Sequence, residues 1–271
     1  MSGPILPKGV TPDPWTALRR HTPARIALGR TGSSLPTSEV LGFALAHAQA
    51  RDAVHAPFEA QATAAAIQAL GLETLIVDSA APDRASYLRR PDLGRTLSQA
   101  GRAALSPGRG SHDLAIVIAD GLSSTAVHAH AAPLVEALLP AVREAGWSLA
   151  PVVIARQARV ALGDAVGELL GARLVILLVG ERPGLSSPDS LGAYITFGPR
   201  VGRTDAERNC VSNIRAEGLG YGAAAFKLAW HAREALRLGL TGVALKDESD
   251  TALLDVTTPR IAPAGSRSPT G

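Results

Sequence analysis

A single cysteine, Cys210, stands among 271 residues. An intrachain disulfide is therefore impossible and a cysteine-based zinc site is excluded, a usage that fits a reducing compartment. Aromatic residues make up only 4% of the chain. Nucleic-acid surfaces pair a clustered basic stripe with a recognisable module or stacking aromatics. Here 27 basic residues stand against 24 acidic ones, a net charge of +3, and the densest basic pairs are Arg19-Arg20 and Arg89-Arg90. That scatter argues against a nucleic-acid partner. No uninterrupted apolar run approaches the ~20 residues that span a bilayer. The opening MSGPILPKGVTPDPWTALRR lacks the apolar core of a secretory signal. The expectation is a soluble intracellular protein with no membrane partner.

What the chain has is apolar content, 46% of its residues. That suffices for one large domain or two small ones. Its wealth of Ala, Gly, Pro and Arg suits a GC-rich bacterial gene. Pro4, Pro7, Pro12, Pro14 and Pro23 predict an irregular N-terminal stretch strapped over another surface. LPTSEVLGFALAHAQARDAVH predicts a helix capped by Thr37 or Ser38, with Val40, Phe43, Ala44, His47 and Ala48 at helical spacing. A second helix restarts at Pro57, ETLIVDSA has a strand's composition, and PDRASYLRRPDLGRTLSQAG reads as helix broken at Pro91. LSPGRGSH, Leu105 to His112, is a turn-rich linker and the expected domain boundary.

Beyond the linker, strands and helices alternate. LAIVIAD, WSLAPVVIA and RLVILLVG read as strands; SSTAVHAHAAPLVEALLPAVREAG and GDAVGELLG read as helices. SPDSLGAYIT reads as a short helix that either ends there or runs into a strand. GLGYGAAAFKLAWHAREALRLG reads as a helix after a glycine turn, and TGVALKD is the candidate for a last strand. Runs apolar on both faces, alternating with helices, imply a parallel sheet covered on both sides. The expected fold is α/β, a Rossmann-like parallel sheet flanked by helices, preceded by a mainly helical N-terminal part. The expected division is 1–110 for the helical region, 111–258 for the α/β domain and 259–271 for a disordered tail.

Three strand ends carry polar groups where open α/β sheets place ligands. In ADGLSS, Asp120-Gly121 makes a sharp turn and Ser123 or Ser124 caps the next helix; a cap alone accounts for these serines. In VGERPGLSSPDSLGAY, Glu181 and Arg182 emerge from a buried strand before a Pro183-Gly184 turn, with Asp189 or a nearby serine as the next cap. Solvation of a sheet edge explains such a charge pair as readily as an acceptor for ligand amides does. In TDAERNCVSNIR, Cys210 sits among hydrogen-bonding groups but has no histidine nearby in sequence. A small buried apolar role suits it better than a nucleophilic one.

Other matches are weak. GLGYG resembles a dinucleotide fingerprint, but the segment before it is polar where a strand is required. GLSST lacks the second glycine of a hydrolase nucleophile elbow. His47, Arg51 and His55 share one helical face without a second arm of ligands, and His128 and His130 point to different sides of a helix.

Taken together, longer stretches carry a family likeness. DPWTALRRHTPARIALGRTGSSLPTSEVLGFALAHAQARDAVH, YLRRPDLGR, LAIVIADGLSSTAVHAHA, VGERPGLSSPDSLGAYITFGP and TDAERNCVSNIR, in this order, resemble the small subunit of ethanolamine ammonia-lyase from about Asp13 to Lys246. The resemblance implies an adenosylcobalamin-dependent carbon–nitrogen lyase that converts ethanolamine to acetaldehyde and ammonia by a radical mechanism. It implies a large subunit that carries the substrate site, a small subunit that closes the other side of the cobalamin, and a higher hetero-oligomer. Carried over by motif, the cobalamin contacts fall on Val160 in ARVALGD, Glu181 in VGERPGL and Cys210 in RNCVSN, with no catalytic residue and no metal ligand in this chain. No Asp-x-His occurs, so the resemblance implies that the nucleotide base stays on cobalt. The short N-terminus departs from relatives whose leader is linked to ethanolamine-utilisation microcompartments; bacterial cytoplasm and microcompartment both remain open. A stand-alone hydrolase and a dinucleotide-binding module are the alternatives.

Overall fold

The computed structural model describes residues 9–250, so the expected tail lies outside the described residues. Six strands form one sheet in the order β1-β3-β2-β4-β5-β6, with β1 at Thr74–Asp78, β2 at His112–Ala119, β3 at Val152–Arg156, β4 at Ala172–Gly180, β5 at Leu191–Phe197 and β6 at Asn209–Ile214. The first four run parallel; β5 pairs antiparallel with β4, and β6 antiparallel with β5. The fold is thus α/β with a mostly parallel sheet.

The uninterrupted apolar runs follow from burial on both faces. Leu114, Ile116 and Ile118 of β2, with Leu174, Ile176 and Leu178 of β4, point into one core. That core is covered by α2 (Ala60–Gln68), α6 (Ser124–Glu144) and α8 (Tyr221–Leu238). The alternate residues Ala115, Val117 and Ala119, with Val175 and Leu177, point into the other, under α7 (Leu162–Leu170) and beside α5 (Gln99–Ala104). Each such Leu, Ile or Val contributes about 1.5–3 kcal/mol by leaving water. Strand β1 precedes the 105–112 linker, yet it pairs with β3 along its whole length, so the sheet draws its edge strand from the N-terminal region.

The connection after β2 leads to α6 on one face, while that after β3 leads to α7 on the other. The two exits diverge at neighbouring strand ends and leave a crevice there, the place where open α/β sheets bind ligands. Asp83 and Ser123 cap α3 (Arg84–Arg89) and α6 through bonds from Ser86 N at 2.7 Å and Ala126 N at 3.2 Å. Gly171, at φ +72°, closes α7 in a left-handed turn that suits glycine.

Ahead of the sheet, residues 9–30 form an irregular strap with one 3-10 turn at Thr16–His21, pinned by a bridge between Thr11 and Arg30. It leads to α1, Thr37–His55. The helix is as predicted, but neither Thr37 nor Ser38 caps it; Pro36 stands at its start without a side-chain cap bond. Its expected apolar face is exposed at Val40, Phe43, Ala44, His47 and Ala48, and only Ala46 and Ala53 are buried. Among the described residues no helix is long and apolar enough to cross a membrane.

Three local expectations are corrected. No helix forms in SPDSLGAYIT: Gly184 and Ser187 bridge in a tight turn, and the chain enters β5 directly. Leu191, Ala193 and Ile195 are all buried at spacing two, so pairing with β4 wins over the cap signals of the serines and Asp189. The polar segment before GLGYG contains a strand, β6, anchored by buried Val211 and Ile214. TGVALKD holds a 3-10 turn at Gly242–Ala244, not a strand.

Candidate functional site

The crevice at the strand ends is a cleft of about 460 Å³. Gly121 and Leu122 enter it after β2, Arg159 and Val160 after β3, and Val179 to Arg182 from the end of β4. Tyr87 of α3 and Tyr194 of β5 complete the walls. Close backbone approach makes this possible. Gly121 sits at φ +56°, and a Cβ there would overlap the Gly180 carbonyl oxygen; a Cβ on Gly180 would overlap that of Ser123.

Under the cleft lies a charged cluster. Asp120, 1% exposed, accepts from Ala158 N at 2.9 Å and from Arg84 Nη1 at 3.3 Å. Burial pushes its carboxyl up to about 6, against the pull of the Ala158 N–H and the Arg84 guanidinium. Arg84 also donates to the carbonyls of Gly121 at 2.8 Å and Val54 at 2.7 Å, binding the strand end to α1.

Glu181 emerges from β4 beside β5. Its carboxylate accepts from the Ser190 hydroxyl and, at 3.3 Å, from Asn213 N at the end of β6. Its own N–H donates to the Ser190 carbonyl at 2.9 Å. Gly192 leaves the space that the carboxylate occupies, since a Cβ there would sit 2.9 Å from Glu181 Oε1. The loop from Pro183 to Ser190 is in turn clamped from two sides. Ser123 Oγ donates to the Pro188 carbonyl at 2.8 Å, and buried His130 places Nε2 3.5 Å from Asp189 and Nδ1 2.8 Å from the Tyr221 hydroxyl. On the outer side, Arg25 and Ser186 link the N-terminal strap to the loop at 3.4 Å each.

Val160 packs with Tyr194 against the second core and gives the cleft an apolar wall. Cys210 does not line the cleft; it is exposed on β6 and pairs with Tyr194 in the strand register. Desolvation around the sulfur pushes its thiol up; the Tyr194 hydroxyl opposes that shift and the Glu181 carboxylate adds to it. Tyr194 is itself pushed up to about 12, chiefly by burial. A thiol held protonated is no nucleophile. The structure therefore gathers Val160 and Glu181 into one cleft and sets Cys210 beside Tyr194, outside the cleft lining.

The remaining candidates find structural roles. Ser123 is fully buried and spends its hydroxyl on the cap and on Pro188. His128 accepts from Glu59 N at 3.0 Å and stacks on Phe58, on a different side of α6 from His130. His47, Arg51 and His55 lie exposed on α1. Strand β6 before GLGYG is an antiparallel edge strand, so that turn lacks the βαβ setting of a dinucleotide site. Among the described residues no group of three His, Cys, Asp or Glu is placed to hold a metal.

The profile of the family described as ethanolamine ammonia-lyase light chain (EutC) matches residues 12–246. The chain belongs to the ethanolamine ammonia-lyase light-chain family. Curated relatives agree. The chain is 57% identical to the ethanolamine ammonia-lyase small subunit of Ralstonia nicotianae over 253 residues, 92% of this chain and 94% of that one. The small subunit of Azotobacter vinelandii is 57% identical over 249 residues, 90% of this chain and 92% of its own, and that of Pseudomonas fluorescens 52% identical over 259 residues, 94% of each.

In this light chain, sequence reasoning missed Tyr87, Arg159 and Tyr194 in the cleft wall. Tyr87 and Arg159 come from α3 and from the loop after β3, 72 residues apart at the Arg159–Tyr87 bond, and no local pattern joins them. Tyr194 was hidden by the expectation of a helix. Its signal was the alternation Leu191, Ala193, Ile195, which places Tyr194 on the opposite face.

Proposed function

We propose that this chain helps to bind adenosylcobalamin in an ethanolamine ammonia-lyase, with a large subunit closing the other side of the cofactor and carrying the substrate. The observation that carries this is the meeting of Val160 and Glu181, far apart in sequence, in one open cleft at the diverging strand ends, with Cys210 paired to the cleft's Tyr194.

The residues present suit the group. Corrin is a broad apolar disc rimmed by neutral amides. Val160, Leu122, Val179 and the two tyrosines offer apolar contact, and Glu181 offers a fixed acceptor for amide N–H groups. Ser190 and Asn213 hold that carboxylate in place before a ligand arrives, which lowers the ordering cost of binding. When bound, adenosylcobalamin supplies a cobalt–carbon bond whose homolysis starts the radical deamination of ethanolamine to acetaldehyde and ammonia. This chain's residues grip and orient; none of them moves a proton in the reaction.

The cleft is open on one side, as a half-site must be. Trp15, Leu35, Leu41, Phe43 and Leu45 leave large apolar surfaces exposed along the strap and α1, and Arg25 joins that region to the loop behind Glu181. Exposed apolar groupings of this kind mark association surfaces. The large subunit is the partner that the small-subunit relatives imply, and docking there would couple assembly to the cofactor cleft. Bacterial cytoplasm is the expected location, with a microcompartment as the alternative.

The test is ammonia release from ethanolamine with adenosylcobalamin. The chain alone should release little, and adding the large subunit should restore release. Glu181→Gln should weaken cobalamin binding to the assembled enzyme by on the order of tenfold, through loss of a charge-assisted hydrogen bond. Unchanged affinity in that variant would remove Glu181 from the site.

A further inference from the structure

The Glu181 carboxylate is held by groups from two segments, the Ser190 hydroxyl before β5 and the Asn213 N–H near the end of β6. Strand pairing alone does not hold these segments together. The β5–β6 ladder slips its register between Leu191 and Ala193, beside both of them. Asn213 has a left-handed backbone, φ +58°, a conformation that persists only where its surroundings hold it. Here the chain that follows does so. Leu219 N donates to the Asn213 carbonyl at 2.8 Å, and Arg215 Nε donates to its side-chain oxygen at 2.9 Å. Two residues after Leu219, Tyr221 opens α8.

On the other side, Ser190 follows Asp189, and Asp189 faces His130 of α6. His130 is 5% exposed and does not line the cleft. Its buried Nε2 makes no full hydrogen bond; the Asp189 carboxylate stands 3.5 Å away. A buried donor left unpaired is costly, so the ring favours loop positions that keep Asp189 close. The facing carboxylate calls for a hydrogen on Nε2, and Nδ1 then accepts from the Tyr221 hydroxyl at 2.8 Å. Contacts thus close a ring behind the carboxylate, from Glu181 through Ser190, Asp189, His130, Tyr221, Leu219 and Asn213 back to Glu181. We infer that His130 is a positioning residue for the cofactor's acceptor: touching no ligand, it holds through Asp189 and Tyr221 the two segments that fix Glu181. This rests on the reading of Glu181 as an acceptor for corrin amides. Ser123 anchors the same loop at the Pro188 carbonyl, but that bond does not reach the β6 side.

Conservative variants separate this role from mere filling of space. Glutamine places its amide nitrogen near the position of the histidine Nε2, whereas asparagine reaches only as far as Nδ1. Adenosylcobalamin affinity would be measured by equilibrium dialysis on the assembled enzyme. His130→Asn and Asp189→Ala should each weaken it by roughly threefold to tenfold, and His130→Gln by less than about twofold. In Glu181→Gln enzyme, Asp189→Ala should weaken it no further, because the charge being positioned is gone. Equal weakening on both backgrounds, or none in enzyme that keeps Glu181, overturns the inference. Should the His130 variants fail to assemble, Asp189→Ala decides, since that side chain is a third exposed and its truncation opens no core. A second measurement needs no cofactor. In the full chain, Asp189→Ala should speed amide exchange at Asn213, across the ring. Faster exchange confined to residues 184–190 would make Asp189 a local anchor and overturn the inference. Wild-type enzyme that binds no adenosylcobalamin, or Glu181→Gln enzyme that binds it at full strength, overturns the cobalamin reading, whereas exchange at Asn213 separately decides whether the ring holds Glu181.

Discussion

The sheet and helix α1 are built from the same kinds of residue and treat them in opposite ways. Ile116, Ile118, Leu174 and Ile176 are 0% exposed, whereas Leu41 is 63% and Leu45 61% exposed. Each sheet residue meets a helix on its own face of the sheet. Helix α1 touches the body mainly through the small side chains of Ala46 and Ala53. Apolar periodicity thus announces a face to be covered; it does not say whether the cover comes from the same chain. In the sheet the chain completes its own core. In α1 it leaves apolar side chains exposed.

The contrast can be strained first where burial is deepest. Asp164 and Arg208, 3% and 2% exposed at their side chains, form a two-point ion pair that ties α7 to the start of β6 at 2.6 and 2.8 Å. Asp164→Ala leaves the buried guanidinium with only one carboxylate, the exposed Asp205 at 3.4 Å, and should lower unfolding free energy by about 3 kcal/mol in a urea titration. A loss below 1 kcal/mol would show that the sheet side is no more tightly built than α1.

The next effect depends on pH. Asp120 titrates near 6 in the folded protein, above the usual 3.8. The folded state therefore holds this proton more tightly than the unfolded one does. Its contribution to stability is fully present below about 4 and is lost as pH rises through 6, a swing on the order of 2–3 kcal/mol. Asparagine cannot titrate. The stability difference between wild type and Asp120→Asn should therefore shift in favour of wild type between pH 7 and pH 5. A constant difference would place Asp120 in a wetter setting than its burial indicates.

Ser123→Ala removes the cap of α6 and the anchor of Pro188, and should cost about 1 kcal/mol. It should also loosen the loop that holds Ser190 against Glu181, seen as faster amide exchange over residues 184–190. Smallest of all should be Leu41→Gln on α1, within about 0.5 kcal/mol for the isolated chain. The same change should weaken association with the large subunit. Strong destabilisation of the isolated chain would mean that α1 belongs to the core after all, and the comparison would fail.

Much of the molecule was legible beforehand. The runs LAIVIA and RLVILLVG have to be doubly buried strands, because nothing else hides so many consecutive apolar side chains in so few residues. The glycines and serines at their ends marked the turns and a cap at Ser123 or Ser124, which the structure resolves to Ser123. The order of longer motifs revealed the family. The edge of the sheet was less legible. In β6 the two buried residues, Val211 and Ile214, lie three apart rather than two, and the serines before β5 imitate a helix cap, so local signals conflicted with the pairing that prevailed.

Sequence alone determined the α/β class and the family, because each rests on local composition or on motif order. Tertiary structure decided that Val160 and Glu181 share one cleft while Cys210 lies beside Tyr194 outside its lining, that Tyr87 stacks on Arg159 there, and that α1 keeps its leucines in water. Those outcomes depend on how distant segments pack, on which strand end lies beside which loop and which face finds a cover. No window of sequence contains that information, since the energy that settles it is shared among residues a hundred positions apart.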